Sequence, residues 1–242
     1  MNRFKRTGQP LIYGHRGVRG PVPENTMAAF QRAQQEGADG IELDVRQAAS
    51  GEVVVFHDED LRRMTKGFDS RAVASLSLRA LRQIDLGGGE RIPTLQDVID
   101  WIAPTDLLLN VEIKRDVPNR TALVFAVARL LRAQLKGRLI ISSFDPFMLT
   151  PLALLLPRVP LAILFHAGQE RHNPWRWARS GLWQAAHPEF VMATADNIAS
   201  LKGRICNAWT VNDPTSARAL AAAGIDGLIT DQPGAIRAAV EG

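Results

Sequence analysis

Two hydrophobic periods alternate along this chain. Between residues 41 and 45, Ile41, Glu42, Leu43, Asp44 and Val45 alternate apolar and acidic. In an extended strand, residues two apart share a face at a spacing of roughly 6.5–7 Å. Glu42 and Asp44 therefore point one way and the three aliphatic side chains the other. The pattern returns in Asn110, Val111, Glu112, Ile113 and Lys114. Two apolar strands that each carry carboxylates on one face predict two walls of one cation site.

Elsewhere, short apolar runs give way to helical spacing and back again. A strand over 10–13 ends at Gly14-His15-Arg16-Gly17, and Asn25 or Thr26 caps a helix carrying Met27, Ala28, Phe30 and Ala33 that stops at Gly37. Strands are predicted over 40–45 and 53–57, with Ser50-Gly51 turning between them. From about 58 to 93 the pattern breaks down into short helical pieces, such as 77–84, and Gly87-Gly88-Gly89; this reads as a small insertion over one end of the domain. After it come a helix over 95–103, a strand over 107–113, a helix over 120–135, a strand over 139–143, a helix over 146–156 with proline in its first turn, and a strand over 161–165. The stretch 168–187 is less regular, with Trp175, Trp177 and Trp183 among Arg171, Arg176 and Arg179. It reads as an amphipathic outer helix, or alternatively as a lip for a membrane surface or an apolar substrate. A strand over 190–193, a helix over 196–201, a strand over 205–210, a helix to 223, a strand over 227–230 and a helix over 233–240 complete the chain.

Strand–helix alternation implies parallel βαβ units, and about eight of them at roughly 30 residues each favour a closed TIM (β/α)8 barrel over an open sheet. The expectation is one α/β domain over 1–242, interrupted by the insertion after the second barrel strand. Its 242 residues can bury a large core without disulfides. Cys206 is the one cysteine, which excludes a disulfide framework or a cysteine-rich zinc site and suits a reducing, cytoplasmic compartment. The first residues lack the apolar run of a signal peptide, and no stretch reaches the ~18 apolar residues of a spanning helix. The net charge of +4 is spread over scattered arginines with no basic helix, finger or stripe. Nucleic acid is not the expected partner; an anionic small molecule is.

In such a barrel the active site lies at the carboxyl ends of the strands. There stand His15 and Arg16, Glu42 and Asp44, Glu112 and Lys114, Ser143 and Phe144, Trp209 and Asn212, and Asp231, with His57 overhanging the same mouth. Singly, each has a plainer reading. His15 suits a loop histidine, His57 a neighbour of a helix cap, Glu112–Lys114 a surface ion pair, and Trp209 core. Their convergence on one end of the barrel favours a site. Carboxylates without cysteine suit one hard divalent cation, Mg2+ or Ca2+. Three carboxylates, such an ion, Arg16 and Lys114 sum to about +1, matched to a phosphodiester monoanion. Two histidines can divide proton removal and proton donation, each typically worth 10²–10⁴-fold.

Gly14-His15-Arg16-Gly17, Pro23-Glu24-Asn25-Thr26, the run Gly37 to Val45, His57-Asp58, Ile92-Pro93-Thr94-Leu95, Glu112-Ile113-Lys114, Trp209-Thr210-Val211-Asn212 and the run Asp226 to Asp231 resemble the glycerophosphodiester phosphodiesterase family. These motifs span nearly the whole chain in the family's order. The resemblance implies a TIM barrel hydrolysing glycerophosphodiesters, such as glycerophosphocholine or glycerophosphoethanolamine, to glycerol 3-phosphate and an alcohol. It assigns Glu42, Asp44 and Glu112 to the metal and His15 and His57 to acid–base work. Arg16 and Lys114 would hold the phosphate, Phe144 and Trp209 would shape the pocket, and Glu24 and Asn25 would support it. Met64-Thr65 departs from the family's Arg/Thr-Thr, and the Gly87-Gly88-Gly89 stretch is short; both bear on substrate breadth. A lysophospholipase D-like activity and a non-catalytic ligand-binding barrel are the alternatives.

Overall fold

The computed structural model describes residues 3–5, 8–20, 22–132, 134–172, 174–201 and 203–242, with the backbone alone over 170–172. The barrel strands are β1 (Leu11–His15), β2 (Gly40–Gln47), β4 (Leu108–Ile113), β5 (Leu139–Ser143), β6 (Leu161–Phe165), β7 (Ala185–Pro188), β8 (Ile205–Ala208) and β9 (Gly227–Thr230), all paired in parallel. Pairing of β1 with both β9 and β2 closes the sheet. One further strand, β3 (Val53–Val55), pairs antiparallel with the far end of β2 and lies outside the closed ring. The helices are α1 (Met27–Gln35), α2 (Leu78–Leu81), α3 (Leu95–Ile102), α4 (Arg120–Leu131), α5 (Pro146–Leu155), α6 (Pro174–Arg179), α7 (Ala195–Ser200), α8 (Pro214–Ala222) and α9 (Pro233–Glu241). The fold is a TIM barrel, as the alternation predicts.

Parallel strands buried on both faces need apolar side chains outward as well as a filled interior. On β2, Ile41, Leu43 and Val45 join the core between strands and helices; on β4, Leu109, Val111 and Ile113 do the same. Inside the ring, Leu11, Tyr13, Leu108, Ile140, Ala162, Ala185, Ile205 and Ile229 form a separate apolar plug. Most inward positions nearer the carboxyl ends are polar, namely His15, Glu42, Asp44, Asn110, Glu112, Ser142, His187 and Asn207, with Leu164 apolar among them. The functional end is thus set by one change of character along the same inward rows.

Caps mark several helix starts. The Thr26 hydroxyl accepts from the Ala29 N–H at 3.3 Å. Thr94 and Asp97 form a reciprocal capping box at α3, and Asp213 followed by Pro214 opens α8. The segment between β3 and α3 has its own small core of Leu61, Val73, Leu81, Leu86 and Ile92.

Several elements differ from the sequence expectation: the strand expected over 205–210 ends at Ala208, and the outer helix expected within 168–187 is the short α6, followed by β7. The strand expected over 53–57 stops at Val55, so His57 stands in the loop beyond it. The sixth barrel strand, β7, is Ala185–Pro188, whereas 190–193, read as that strand, begins with a 3-10 turn at Phe190–Met192. The apolar Phe190-Val191-Met192 outweighed Ala-Ala-His-Pro on β-propensity, but a narrow barrel interior accepts small alanines that propensity ranks low. Helix α4 ends at Leu131, short of 135; Ala133 lies outside the described residues. In the tryptophan-rich stretch, α6 buries Trp175, and Trp183 is buried too, leaving only Trp177 of the three exposed; the side chain of Arg171 lies outside the described residues. Among the described residues no helix is long and apolar enough to cross a membrane.

Candidate active site

Strand register builds the site. His15 pairs with Glu42 across β1 and β2, and Asp44 pairs with Glu112 across β2 and β4. Neighbouring strands lie about 4.8 Å apart, so inward side chains at paired positions are brought together. Ligand oxygens of Glu42, Asp44 and Glu112 all lie within 4.8 Å of one another, and all three side chains are buried. His57 reaches the same mouth because β3 turns back over β2: the Phe56 N–H donates to the Asp44 carbonyl at 2.9 Å, and His57 follows.

Burying three acids together is costly unless cations answer them. Lys114 Nζ lies 2.8 Å from Glu112 Oε1 and 3.4 Å from Asp44 Oδ1. Arg16 contributes its backbone N–H to Glu42 Oε2 at 3.1 Å, its Nη1 to Glu24 Oε1 at 2.8 Å, and its Nε sits 3.2 Å from Asp44 Oδ2. That Nε is buried without a well-formed hydrogen bond. Asn25 donates from Nδ2 to Asp44 Oδ2 at 2.8 Å, so Glu24 and Asn25 do stand behind the site. Arg16 and Asn25 both have left-handed backbones (φ 53° and 57°), which bends the loop after β1 inward. Gly14 and Gly17 permit that bend: a Cβ on Gly14 would lie 2.3 Å from the Gly17 carbonyl oxygen, and one on Gly17 would lie 2.5 Å from the Ala29 backbone.

The acids do not share charge equally. Burial raises Asp44, but Lys114, Arg16 and His57 outweigh it and hold the carboxyl well below the ordinary range. Burial, with Asp44 and Glu112 close by, pushes Glu42 well above it. Burial opposes the charge of Lys114 and of Arg16, yet the facing carboxylates keep both firmly protonated. A divalent ion would relieve this crowding, and an all-oxygen, wholly acidic donor set fits a hard cation. The residues present therefore fit such an ion, with Glu42, Asp44 and Glu112 as its protein ligands.

Each histidine has a carboxylate behind it. His15 Nδ1 lies 2.7 Å from Asp231 Oδ1, and Asn212 holds the other Asp231 oxygen at 2.7 Å. His57 Nδ1 lies 2.6 Å from Asp58 Oδ1. In this arrangement Nδ1 donates and Nε2 is left to face the cavity. Asp231 and Asp58 are both held below the ordinary range: burial works against them, and the histidine hydrogen bond, with the nearby positive charges, outweighs it.

His15, Arg16, Glu42, His57, Glu112, Lys114, Phe144 and Trp209 line one cavity of about 200 Å3, with Asn110, Leu164 and Ile229 completing it. Phe144 and Trp209 meet edge to face, ring centres 5.4 Å apart, and Trp209 is fixed by its Nε1 donating to the His187 carbonyl at 2.8 Å. A wider depression of about 420 Å3 adjoins it at His57, Glu112, Lys114 and Phe144 and continues to Asp58, Arg115 and His166. The sequence reading gave the cavity wall, with Glu24 and Asn25 behind it, but not the carboxylates behind the two histidines. Asp231 ends a strand and Asp58 follows a histidine, so both were visible as residues without their partners. Arg46 continues the inward row of Glu42 and Asp44; from there it donates to the His57 carbonyl at 2.9 and 2.8 Å and to Asp116, clamping the loop that carries the imidazole.

The family model for the glycerophosphoryl diester phosphodiesterase family matches residues 15–235. A glycerophosphodiester phosphodiesterase of Caldanaerobacter subterraneus is 34% identical over 233 residues, covering 92% of this chain and 94% of that protein. Among solved structures, a phosphodiesterase of Oleispira antarctica in complex with its product sn-glycerol-3-phosphate superposes with a TM-score of 0.82 at 28% identity, covering 97% of this chain and 98% of that one. The glycerophosphodiester phosphodiesterase of Thermotoga maritima gives 0.80 at 29% identity, covering 96% and 99%.

Proposed function

The chain belongs to the glycerophosphoryl diester phosphodiesterase family, and from that premise we propose that it hydrolyses glycerophosphodiesters, such as glycerophosphocholine and glycerophosphoethanolamine, to glycerol 3-phosphate and the free alcohol. The observation that carries this reading is the pairing of two carboxylate-backed imidazoles with a buried three-carboxylate cluster around a single cavity. Glu42, Asp44 and Glu112 would hold one divalent cation, Mg2+ or Ca2+. Bound there, the ion supplies positive charge for the non-bridging phosphate oxygens.

The chain's own groups account for the rest. Arg16 and Lys114, both kept protonated, face the same cavity and stabilise the charge that grows on the phosphoryl oxygens as the bond to the leaving oxygen lengthens. One imidazole removes the proton of the attacking oxygen while the other protonates the departing alkoxide. Asp231 and Asp58 hold the two rings with Nε2 inward, so neither needs to reorient during the step. Phe144 and Trp209 wall off the glycerol and leaving-group side from water. The inner cavity suits glycerol phosphate and the adjoining depression the headgroup. A single barrel domain over 1–242 and a cytoplasmic location, suited to the free buried Cys206, belong to the same proposal.

A panel of glycerophosphodiesters tests the reading by glycerol 3-phosphate release, with choline release from lysophosphatidylcholine measured beside it. Release from glycerophosphocholine or glycerophosphoethanolamine is expected, abolished by EDTA and restored by Mg2+ or Ca2+. Release that survives EDTA, or turnover of lysophosphatidylcholine alone, would overturn it.

A further inference from the structure

Arg63 lies in the turn that follows His57 and Asp58, and its side chain is 44% exposed. Exposed arginines usually hold their partners loosely. This one engages all three guanidinium nitrogens. Nε donates to Asp58 Oδ2 at 2.6 Å, Nη2 to Glu24 Oε1 at 2.6 Å, and Nη1 to Glu24 Oε2 at 3.1 Å. Both acceptors are already tied to the reaction site. Asp58 holds His57 through its other oxygen, and Glu24 also takes Arg16 Nη1. A continuous line of charge-assisted contacts therefore runs His57–Asp58–Arg63–Glu24–Arg16, ending where Arg16 Nε meets Asp44.

We propose that Arg63 is a positioning residue that couples the His57 imidazole to the phosphate-facing Arg16, an inference that rests on the hydrolase reading above. Its fork fixes the plane of Glu24 while its third nitrogen fixes Asp58, so the two carboxylates cannot move independently. There is an electrostatic consequence as well. Glu24 left alone with Arg16 would neutralise it; shared with Arg63, it leaves Arg16 a surplus of positive charge toward the cavity. A lysine cannot substitute, because one ammonium does not present a planar fork and a third donor to two separate carboxylates. The insertion thereby reaches Arg16 as well as His57, through Arg63 on Glu24 and Asp58 on the imidazole.

The test compares Arg63→Lys and Arg63→Gln with the wild-type chain for glycerol 3-phosphate release and urea midpoint. Both variants are expected to lose about 10- to 100-fold in kcat, the cost of a misplaced catalytic group, with unfolding midpoints close to wild type. Arg63→Gln should also raise KM, because Glu24 then neutralises Arg16, and added guanidinium should restore part of its rate. Wild-type kinetics in Arg63→Lys would overturn the proposal. So would losses that track the urea midpoint and are not rescued. A wild-type chain that releases no glycerol 3-phosphate would count against the hydrolase reading instead. In that case the proton resonance of the His57 Nδ1–H, held by Asp58, reads the coupling at one fixed pH without turnover. Arg63→Gln should shift it or lose it to exchange with water, and an unchanged resonance overturns the coupling.

Discussion

At the scale of single residues, the site is a set of buried charges that hold one another. Removing one partner leaves another uncompensated, so substitutions here should be read for rate and stability separately. His15→Ala or His57→Ala should each lower kcat by about two powers of ten or more. Both side chains are partly exposed, at 15% and 31%, so the urea midpoints should hardly move. Near-normal turnover in either variant would contradict the acid–base assignment. A third histidine gives a different signal. His187 is buried among barrel strands with Asn207 Nδ2 3.1 Å from its Nε2, and burial pushes it down to about 3 from the ordinary 6.5. Between those values the unfolded chain binds a proton that the folded chain refuses. The contribution of the neutral ring is therefore complete above about pH 6.5 and is lost at about 1.4 kcal/mol per pH unit as the pH falls toward 3. The unfolding free-energy difference between wild type and His187→Gln should narrow on acidification from pH 7 to 4.5. A pH-independent difference would contradict this account. Sequence marked His15 and His57 because each stands at the end of an apolar run. His187 sits inside a strand that the pattern placed elsewhere, and nothing in Ala-Ala-His-Pro announces it.

At the scale of elements, the strand–loop–helix unit from β1 to α1 carries most of the burden. It supplies His15, Arg16, Glu24 and Asn25 within one turn, and the turn works only because two glycines let backbone approach backbone. Gly17 has a φ of +90° as well as Ala29 backbone atoms 2.5 Å from a would-be Cβ. Gly17→Ala should therefore cost about 2 kcal/mol or more, through strain and forced separation of loop and helix. It should also weaken phosphate binding, because the Arg16 N–H and side chain would shift together. A urea midpoint within error of wild type would refute this. Strands and helices with a strong period were legible: β5, β6 and β9 match their predicted bounds residue for residue. The β2–β3 hairpin was legible as two strands but not as a departure from the barrel. That departure depends on β4 taking the edge of β2 over Gly40 to Val45, a pairing between residues about 68 apart. Contacts made by the insertion, such as Arg63 on Glu24, join segments without periodicity and leave no pattern to read.

At the scale of the whole molecule, a single rule explains both what the sequence revealed and what it hid. Inward rows such as Tyr13–His15 and Leu108–Asn110–Glu112 turn from apolar to polar toward the carboxyl end, so a polar residue in step with such a row points at the mouth. Glu42, Asp44 and Glu112 were found that way, and register then brought Asp44 and Glu112 side by side. The partners of the site's side chains come from loops and from the strand that closes the ring on β1. Asp231, 216 residues from His15 in sequence, is one of them. Closure of the barrel, rather than any local motif, makes these neighbours. The central claim is that three acids from adjacent strands form one cation site that the rest of the mouth serves. Calorimetric titration of Mg2+ or Ca2+ into EDTA-stripped protein tests it most directly. One ion per chain should bind the wild type, and Glu42→Gln and Glu112→Gln should each abolish or greatly weaken that binding without lowering the urea midpoint. Absence of binding to the wild type, or binding that both variants leave unchanged, would contradict it.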